Sequence, residues 1–332
     1  MNRTSNAGGA GARSDEPGKG ADDRPLLSVE DLVVEYQTAK GPFRAVDQVS
    51  FQLSRGGSLA VVGESGCGKS TLARALVRLL KPNSGRIVLD GTDIATLPER
   101  RLRPLRRRVQ MVFQDPYGSL DPHLTAEEIV AEPLRLSGVR DKAERARRAA
   151  GLIDRVGLPA TALRRRPPEF SGGQRQRIGI ARALASRPEV LVCDEATSAL
   201  DVSVQAQVLE LLRELQDETG IAYLFIAHNL GVVREISTDV VVMHSGRIVE
   251  TGRTGAVLAS PAEPYTRALR RAALDPTAIR GVKPRHLLSA TGAATTATAD
   301  SSVSAPVGAA AGAEGSTPVS PAVSTAPEGN RS

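Results

Sequence analysis

The run Gly63 to Thr71 reads G-E-S-G-C-G-K-S-T and fits G-x-x-x-x-G-K-[ST] at every fixed position, directly after an apolar strand-like run, Leu59 to Val62. Its chemistry is phosphate binding. Gly63, Gly66 and Gly68 let the backbone curl so that successive N–H groups face phosphate oxygens, and a helix starting near Lys69 adds its positive end. Lys69 then reaches the phosphates and Ser70 offers an oxygen to Mg²⁺. The expected nucleotide-binding set is therefore Gly63, Glu64, Ser65, Gly66, Cys67, Gly68, Lys69, Ser70 and Thr71. A plain glycine-rich turn is the alternative, and it leaves the Lys-Ser pair unexplained. By itself the loop fits many ATP- and GTP-using classes.

Two further groups narrow the choice. Asp194 and Glu195 end the apolar run Val190 to Cys193, the place where ligands gather in open parallel sheets. There Asp194 is suited to Mg²⁺ and Glu195 to accepting a proton from an attacking water. An acidic strand end that caps the next helix is the competing reading. Ser171-Gly172-Gly173 opens a helix from Gln174, with a serine suited to the N-cap and glycines that leave N–H groups bare. This is a second anion site in one chain, and one nucleotide cannot easily use both.

These groups need a mixed scaffold. Leu27 to Tyr36 alternates apolar and polar residues, turns around Lys40-Gly41-Pro42 and resumes over Ala45 to Leu53, which predicts an antiparallel β-region. Leu72 to Leu80 has helical spacing, Ser84-Gly85 breaks it, and Arg86 to Leu89 and Val109 to Phe113 read as strands. From Pro116 to about Pro168 the pattern turns helical, clearest over Ala126 to Leu136 and Lys142 to Val156, as an inserted helical subdomain spanning roughly residues 115–168. Helix Gln174 to Ala185, strand Glu189 to Cys193, helix Val204 to Thr219 and strand Ala222 to Ala227 then alternate as parallel βαβ units. Asp239 to His244 and Arg247 to Glu250 predict a closing hairpin. The fold class is α/β, with a parallel-sheet core around the phosphate loop.

Composition sets outer bounds. Residues 1–25 and 289–332 are rich in Gly, Ala, Ser, Thr and Pro and poor in large apolar side chains, so both are expected to be disordered tails. Lys plus Arg number 43 against 37 Asp plus Glu, with arginines gathered over 100–108, 140–148 and 164–166. Solvated helix faces explain that excess most simply; a membrane protein near anionic lipid is an alternative. Aromatic residues make up 3% and Trp is absent, which argues against stacking on single-stranded nucleic acid. The two cysteines, Cys67 and Cys193, are too few for a disulfide framework or a four-cysteine metal site. No signal-like or bilayer-length apolar stretch is seen, so any membrane path is expected to come from other subunits.

The order and wording of these motifs resemble the ATP-binding subunits of ATP-binding-cassette (ABC) transporters, over roughly Leu27 to Leu274. The resemblance implies ATP and Mg²⁺ as ligands and a pair of subunits, identical or paralogous, in which the Ser171, Gly172, Gly173, Gln174 turn of one closes over the ATP of the other. It also implies that Gln114, in V-F-Q-D-P, touches Mg²⁺ and senses a transmembrane partner. Ser198-Ala199-Leu200-Asp201 is similar to the segment crossing the dimer interface, with Asp201 its acidic member. His228, after the strand Tyr223 to Ala227, matches the switch histidine near the γ-phosphate. Glu195, His228 and Gln114 become the catalytic set, and Ser70, Gln114 and Asp194 the metal set. Tyr36 resembles the aromatic that stacks on adenine, or else simply packs.

Residues 110–122, 169–184 and 260–269 are similar to the oligopeptide/dipeptide importer branch, the last within a C-terminal extension taken as 260–288 after an ATP-binding domain of 26–259. Phe170 stands where the wider family commonly has Leu, and no cysteine follows Cys193, so no iron-sulfur cluster is expected. The implied partners are a second ATP-binding subunit, two transmembrane permease subunits and an extracytoplasmic substrate-binding protein, with no direct nucleic acid. The implied place is the cytoplasmic face of the cell membrane. Other cargo such as nickel, glutathione or an opine stays open, as do export and a soluble non-transport role.

Overall fold

The β-hairpin expected at the N-terminus forms from β1 (Leu27–Thr38) and β2 (Gly41–Leu53), paired antiparallel from Leu27 opposite Leu53 to Thr38 opposite Gly41. The structure is a computed structural model, and it describes residues 24–39, 41–115, 117–196 and 200–274. The tails expected over 1–25 and 289–332 and the end of the extension beyond residue 274 lie wholly or mainly outside the described residues. So do Lys40, Pro116 and the Ser198-Ala199 pair.

After β2 the chain runs through β3 (Ser58–Val62), α1 (Lys69–Leu76), β4 (Ser84–Leu89), β5 (Thr92–Asp93), α2 (Glu99–Arg106) and β6 (Val109–Val112). Helices α3 (Ala126–Leu136) and α4 (Lys142–Arg155) follow, then α5 (Gly172–Leu184), β7 (Val190–Asp194), α6 (Val202–Thr219) and β8 (Ala222–Ala227). The order ends with α7 (Leu230–Ile236), β9 (Asp239–His244), β10 (Arg247–Arg253), α8 (Thr254–Ala259) and α9 (Pro264–Leu274).

Two sheets result. The antiparallel one has the order β2-β1-β4-β5; the other has the order β10-β9-β3-β8-β7-β6 and is parallel except for β10. Strands of the parallel sheet are covered on both faces, which is why they read as apolar runs rather than alternation. In β7, Val190 and Val192 join Leu72, Leu76 and Leu32 in a core between the sheets, while Leu191 and Cys193 face a second core with Ile178 and Leu212. Helix α1 is thus sandwiched between the two sheets, and its N-terminus is fixed at the carboxyl ends of β3, β7 and β8.

The helical subdomain is built from α3 and α4 packed on α5, through Ile129, Val130, Leu134, Ile153 and Ile178. Local sequence sets its starts: Thr125 and Glu128 form a reciprocal capping box, and Asp141 caps α4 by accepting from the Ala143 N–H at 3.0 Å.

Some expectations need correction. The helix expected over Leu72 to Leu80 stops at Leu76, because Arg78 takes φ 55° and its guanidinium donates to Ile94 O at 2.8 Å and Leu97 O at 3.1 Å. Ser84-Gly85 is not a break but the start of β4, where a Cβ on Gly85 would meet Asp31 O at 2.5 Å. Helices α2 and α7 to α9 were not foreseen. The arginines of 100–108 do not all form a solvated face: Arg108 lies between Asp90 and Glu189, donating Nη2 to each at 2.7 Å, and that pairing holds its guanidinium pKa above the ordinary value.

Candidate active site

The phosphate-loop sequence closes tightly around its own glycines. Gly63 at φ 153° and Gly68 at φ 106° each pass so near other backbone that a Cβ would lie 2.2 Å from Met243 O and 2.0 Å from Ala45 O. No other residue type fits either place. Gly68 is the N-cap of α1 and carries no side chain to satisfy the first turn, so the N–H groups of Lys69, Ser70 and Thr71 stay bare for an anion.

Lys69 is 4% exposed, and its Nζ donates to Gly63 O and Glu64 O, each at 2.8 Å. Ser70 Oγ donates to Asp194 Oδ1 at 3.1 Å. Asp194 is buried, and burial pushes its carboxyl pKa up; the Ser70 bond opposes this and neighbouring Glu195 adds to it. A buried carboxylate beside a hydroxyl fits a divalent cation, which would relieve that cost. Among the described residues no group of three or more His, Cys, Asp or Glu could hold a metal. The oxygen donors present instead suit Mg²⁺, which keeps waters and takes phosphate oxygens as ligands.

Glu195 follows β7 in the left-handed region, φ 46°, with its N–H held by Ile226 O at 3.0 Å. Such strain in a non-glycine residue persists only where neighbours enforce it. Its side chain turns into the cavity, where Oε2 accepts from Gln114 Nε2 at 2.7 Å and lies 3.6 Å from His228 Nδ1. Gln114 arrives from the end of β6 and His228 from the end of β8, whose succeeding helix is capped by Asn229 accepting from the Gly231 N–H at 2.8 Å.

A cavity of about 340 Å³ is lined by Lys69, Ser70, Thr71, Gln114, Glu195 and His228 at one end and by Tyr36 and Phe43 at the other. Tyr36 is opposite Phe43 in the β1–β2 register, and its Oη lies 3.4 Å from Thr71 Oγ1. Phe43 is 53% exposed and was missed by the sequence reading; only its register opposite Tyr36 reveals it. A larger cleft of about 650 Å³ lies at the other end of the strands. Its Arg55, Arg148 and Arg155 are paired with carboxylates, and its lining residues do not include the glycine-rich turn at the start of α1 that marks the smaller cavity.

The expected residues fall into two groups. Gly66, Gly68, Ser65, Lys69, Ser70, Thr71, Tyr36, Gln114, Glu195 and His228 line one cavity, with Gly63, Glu64, Cys67 and Asp194 behind the loop. Ser171, Gly172, Gly173, Gln174 and Asp201 are not among its lining residues. Ser171 caps α5 by accepting from Gln174 N–H at 3.3 Å, and Gln174 Oε1 accepts from Ser171 N–H at 3.1 Å. Gly173 is packed so that a Cβ would lie 2.4 Å from Val204 Cγ1. Asp201 is an exposed N-cap of α6 without a side-chain cap bond. The site thus sets bare helix N–H groups and a lysine, groups suited to phosphate, beside a carboxylate, an amide and an imidazole, while a second helix start stands apart from it.

Comparison with known proteins agrees with this geometry. Residues 46–198 match the family described as ABC transporter. A Sinorhizobium fredii protein, named a probable peptide ABC transporter ATP-binding protein, is 53% identical over 262 residues, covering 77% of this chain and 74% of that protein. A Brucella ovis protein provisionally named a peptide import ATP-binding protein is 49% identical over 252 residues, covering 76% of this chain and 80% of its own length. Among solved structures, a dimeric ATP-binding cassette in a post-hydrolysis state bound to ADP and Pi superposes with a TM-score of 0.65 at 28% identity, covering 69% of this chain and 99% of that one.

Proposed function

Because this chain belongs to the ABC transporter family as an ATP-hydrolysing subunit, we propose that it powers peptide import by pairing with a second ATP-binding subunit, identical or paralogous, against two permease subunits. One observation carries the pairing. The Ser171 helix start is exposed and stands outside the cavity that gathers Lys69, Glu195 and His228, so an opposing subunit is needed to bring such a start onto the phosphates. That a similar cassette was solved as a dimer bound to ADP and Pi supports the pairing.

In this reading Lys69 gives up its bonds to Gly63 O and Glu64 O to neutralise phosphate charge, and the bare N–H groups of α1 share that task. Ser70, Asp194 and the Gln114 amide oxygen would hold Mg²⁺, which when bound neutralises charge developing on the phosphate oxygens. Glu195 takes a proton from the water attacking the terminal phosphorus as the bond to the leaving phosphate oxygen breaks. His228 lies within reach of the same water through its contact with Glu195. Gln114 donates to Glu195 Oε2, which links the carboxylate to the segment leading into the helical subdomain. Tyr36 and Phe43 provide faces for the adenine.

No helix among the described residues is long and apolar enough to cross a membrane. Exposed Leu79, Tyr117 and Leu136 give apolar contact for permease subunits, and the cytoplasmic membrane face is the place this implies. Peptide cargo would arrive through an extracytoplasmic binding protein that this chain need not touch. The test is affinity purification of the tagged chain from mildly solubilised membranes, with ATPase activity compared to Glu195→Gln. Two permease-like chains and a peptide-loaded binding protein, with hydrolysis that depends on Glu195, are expected. Active ATPase without any membrane partner would overturn the transport assignment.

A further inference from the structure

We infer that Tyr265, in the C-terminal helix α9, is a positioning residue that holds the phosphate loop in its phosphate-bound shape. The inference rests on the reading of Lys69 as a phosphate ligand. Glu64 N–H donates to Tyr265 Oη at 3.1 Å, a bond that joins residues 201 apart in sequence. Nothing in the loop motif announces this partner, since it comes from outside the nucleotide-binding core.

The hydroxyl is held firmly in place. Tyr265 is 4% exposed, and its ring stacks on His244 with centroids 4.1 Å apart, in a core shared with Val62, Val242 and Leu269. The chain just before α9 is fastened by Glu250, whose carboxylate accepts from the N–H groups of Ala262 at 2.8 Å and Glu263 at 3.2 Å. Arg267, on the next turn of the same helix, donates back to Pro261 O at 3.2 Å and Ala262 O at 2.6 Å. The Tyr265 side chain is therefore a rigid post against which the Gly63-Glu64 peptide rests.

That peptide segment has side-chain holds of two different kinds. Lys69 Nζ binds the Gly63 and Glu64 carbonyls, and Tyr265 Oη binds the Glu64 N–H. When Lys69 moves its hydrogens to a phosphate, the first side-chain hold is surrendered and the second remains, beside the loop's own bond from Cys67 N–H to Glu64 O at 3.3 Å. The Tyr265 bond consequently stabilises the phosphate-bound loop more than the free loop. A contact of equal strength in both states would alter folding stability and leave affinity unchanged; an unequal one shifts binding by the difference.

Tyr265→Phe keeps the ring and its stacking and removes only the hydroxyl, and with it the acceptor for Glu64 N–H. In the purified full chain, the Kd and KM for ATP are expected to rise roughly 3- to 10-fold, the worth of one backbone hydrogen bond, with kcat at saturating ATP unchanged. A lowered Tm with unchanged Kd and KM would overturn the inference, leaving a structural contact only. Amide hydrogen exchange of the wild-type chain gives a test that needs no variant. Glu64 N–H should stay protected when a non-hydrolysable ATP analogue binds, and its exposure on binding would equally overturn the proposal. Lys69→Ala separates the two readings. If it retains ATP affinity, the phosphate-loop assignment itself fails; if it loses affinity while Tyr265→Phe does not, only the role of Tyr265 fails.

Discussion

Gln114 Nε2 donates to Glu195 Oε2 at 2.7 Å, so the amide at the end of one strand is tied to the carboxylate at the end of its neighbour. The two strands, β6 and β7, are paired in parallel, with Val112 opposite Cys193. Their succeeding residues therefore emerge side by side, which places the start of the segment leading into the helical subdomain against the carboxylate. The same Oε2 is 3.6 Å from His228 Nδ1, which brings a third strand end to the same point.

Glu195→Gln removes the carboxylate proposed as proton acceptor while keeping side-chain size. ATP turnover should fall roughly 10²- to 10⁴-fold, the usual contribution of a general base, with ATP affinity close to wild type. Steady-state hydrolysis and equilibrium binding of labelled ATP check the two halves, and a variant that turns over normally would remove Glu195 from the chemistry.

Gly68→Ala places a methyl 2.0 Å from Ala45 O at a φ of 106°, and neither the strand β2 backbone nor α1 can retreat without moving the core. Nucleotide binding should be lost, as read by isothermal titration with Mg-ATP, while circular dichroism at moderate temperature still reports a folded chain.

Gly173→Ala forces a methyl to within 2.4 Å of Val204 Cγ1 and displaces the start of α5 against α6. Overpacking of this kind costs about 1–3 kcal/mol in stability. The distinguishing outcome is functional: ATP should still bind, since the loop at Gly63 to Thr71 is untouched, whereas ATP-dependent dimerisation of Glu195→Gln subunits, followed by size exclusion, should be weakened.

Tyr36→Ala and Phe43→Ala should each raise the Kd for ATP, by roughly 5- to 150-fold if each supplies a stacking face worth about 1–3 kcal/mol. If only one variant weakens binding, the adenine uses that face alone. Comparing ATP with inorganic triphosphate isolates the base, because the triphosphate should bind both variants like wild type.

Burial pushes the Tyr265 hydroxyl from 10.0 up to about 12. Between those values the unfolded chain gives up the proton and the native chain keeps it, so the native state binds more protons and stability falls as pH rises through this window. Urea midpoints measured at about pH 9.5 and about pH 11.5 should decline less steeply in Tyr265→Phe than in wild type.

Much of the site was readable because its residues are local in sequence. The run Gly63 to Thr71 specifies its own curl through glycines, and Ser171 with Gln174, three positions on, specifies a capping box. Asp194 and Glu195 were legible from the apolar strand that precedes them. Phe43 was not, because its chemistry depends on standing opposite Tyr36, a register set by the whole hairpin. Helix α2 was obscured by its arginines, which give a polar sequence with Leu102 as its buried apolar anchor.

Local pattern by itself determined the phosphate loop, the helix caps, the parallel βαβ alternation and the chemical types gathered for hydrolysis, since each depends on neighbours within a few residues. Only the tertiary structure decided that Gln114 closes on Glu195, that the Ser171 turn stays away from its own chain's phosphate site, and that Tyr265 reaches back to Glu64. Those relationships join residues 81 and 201 positions apart. No short-range propensity encodes them: they are fixed by the order in which strands enter the sheet and by cores that let side chains sit in one place only.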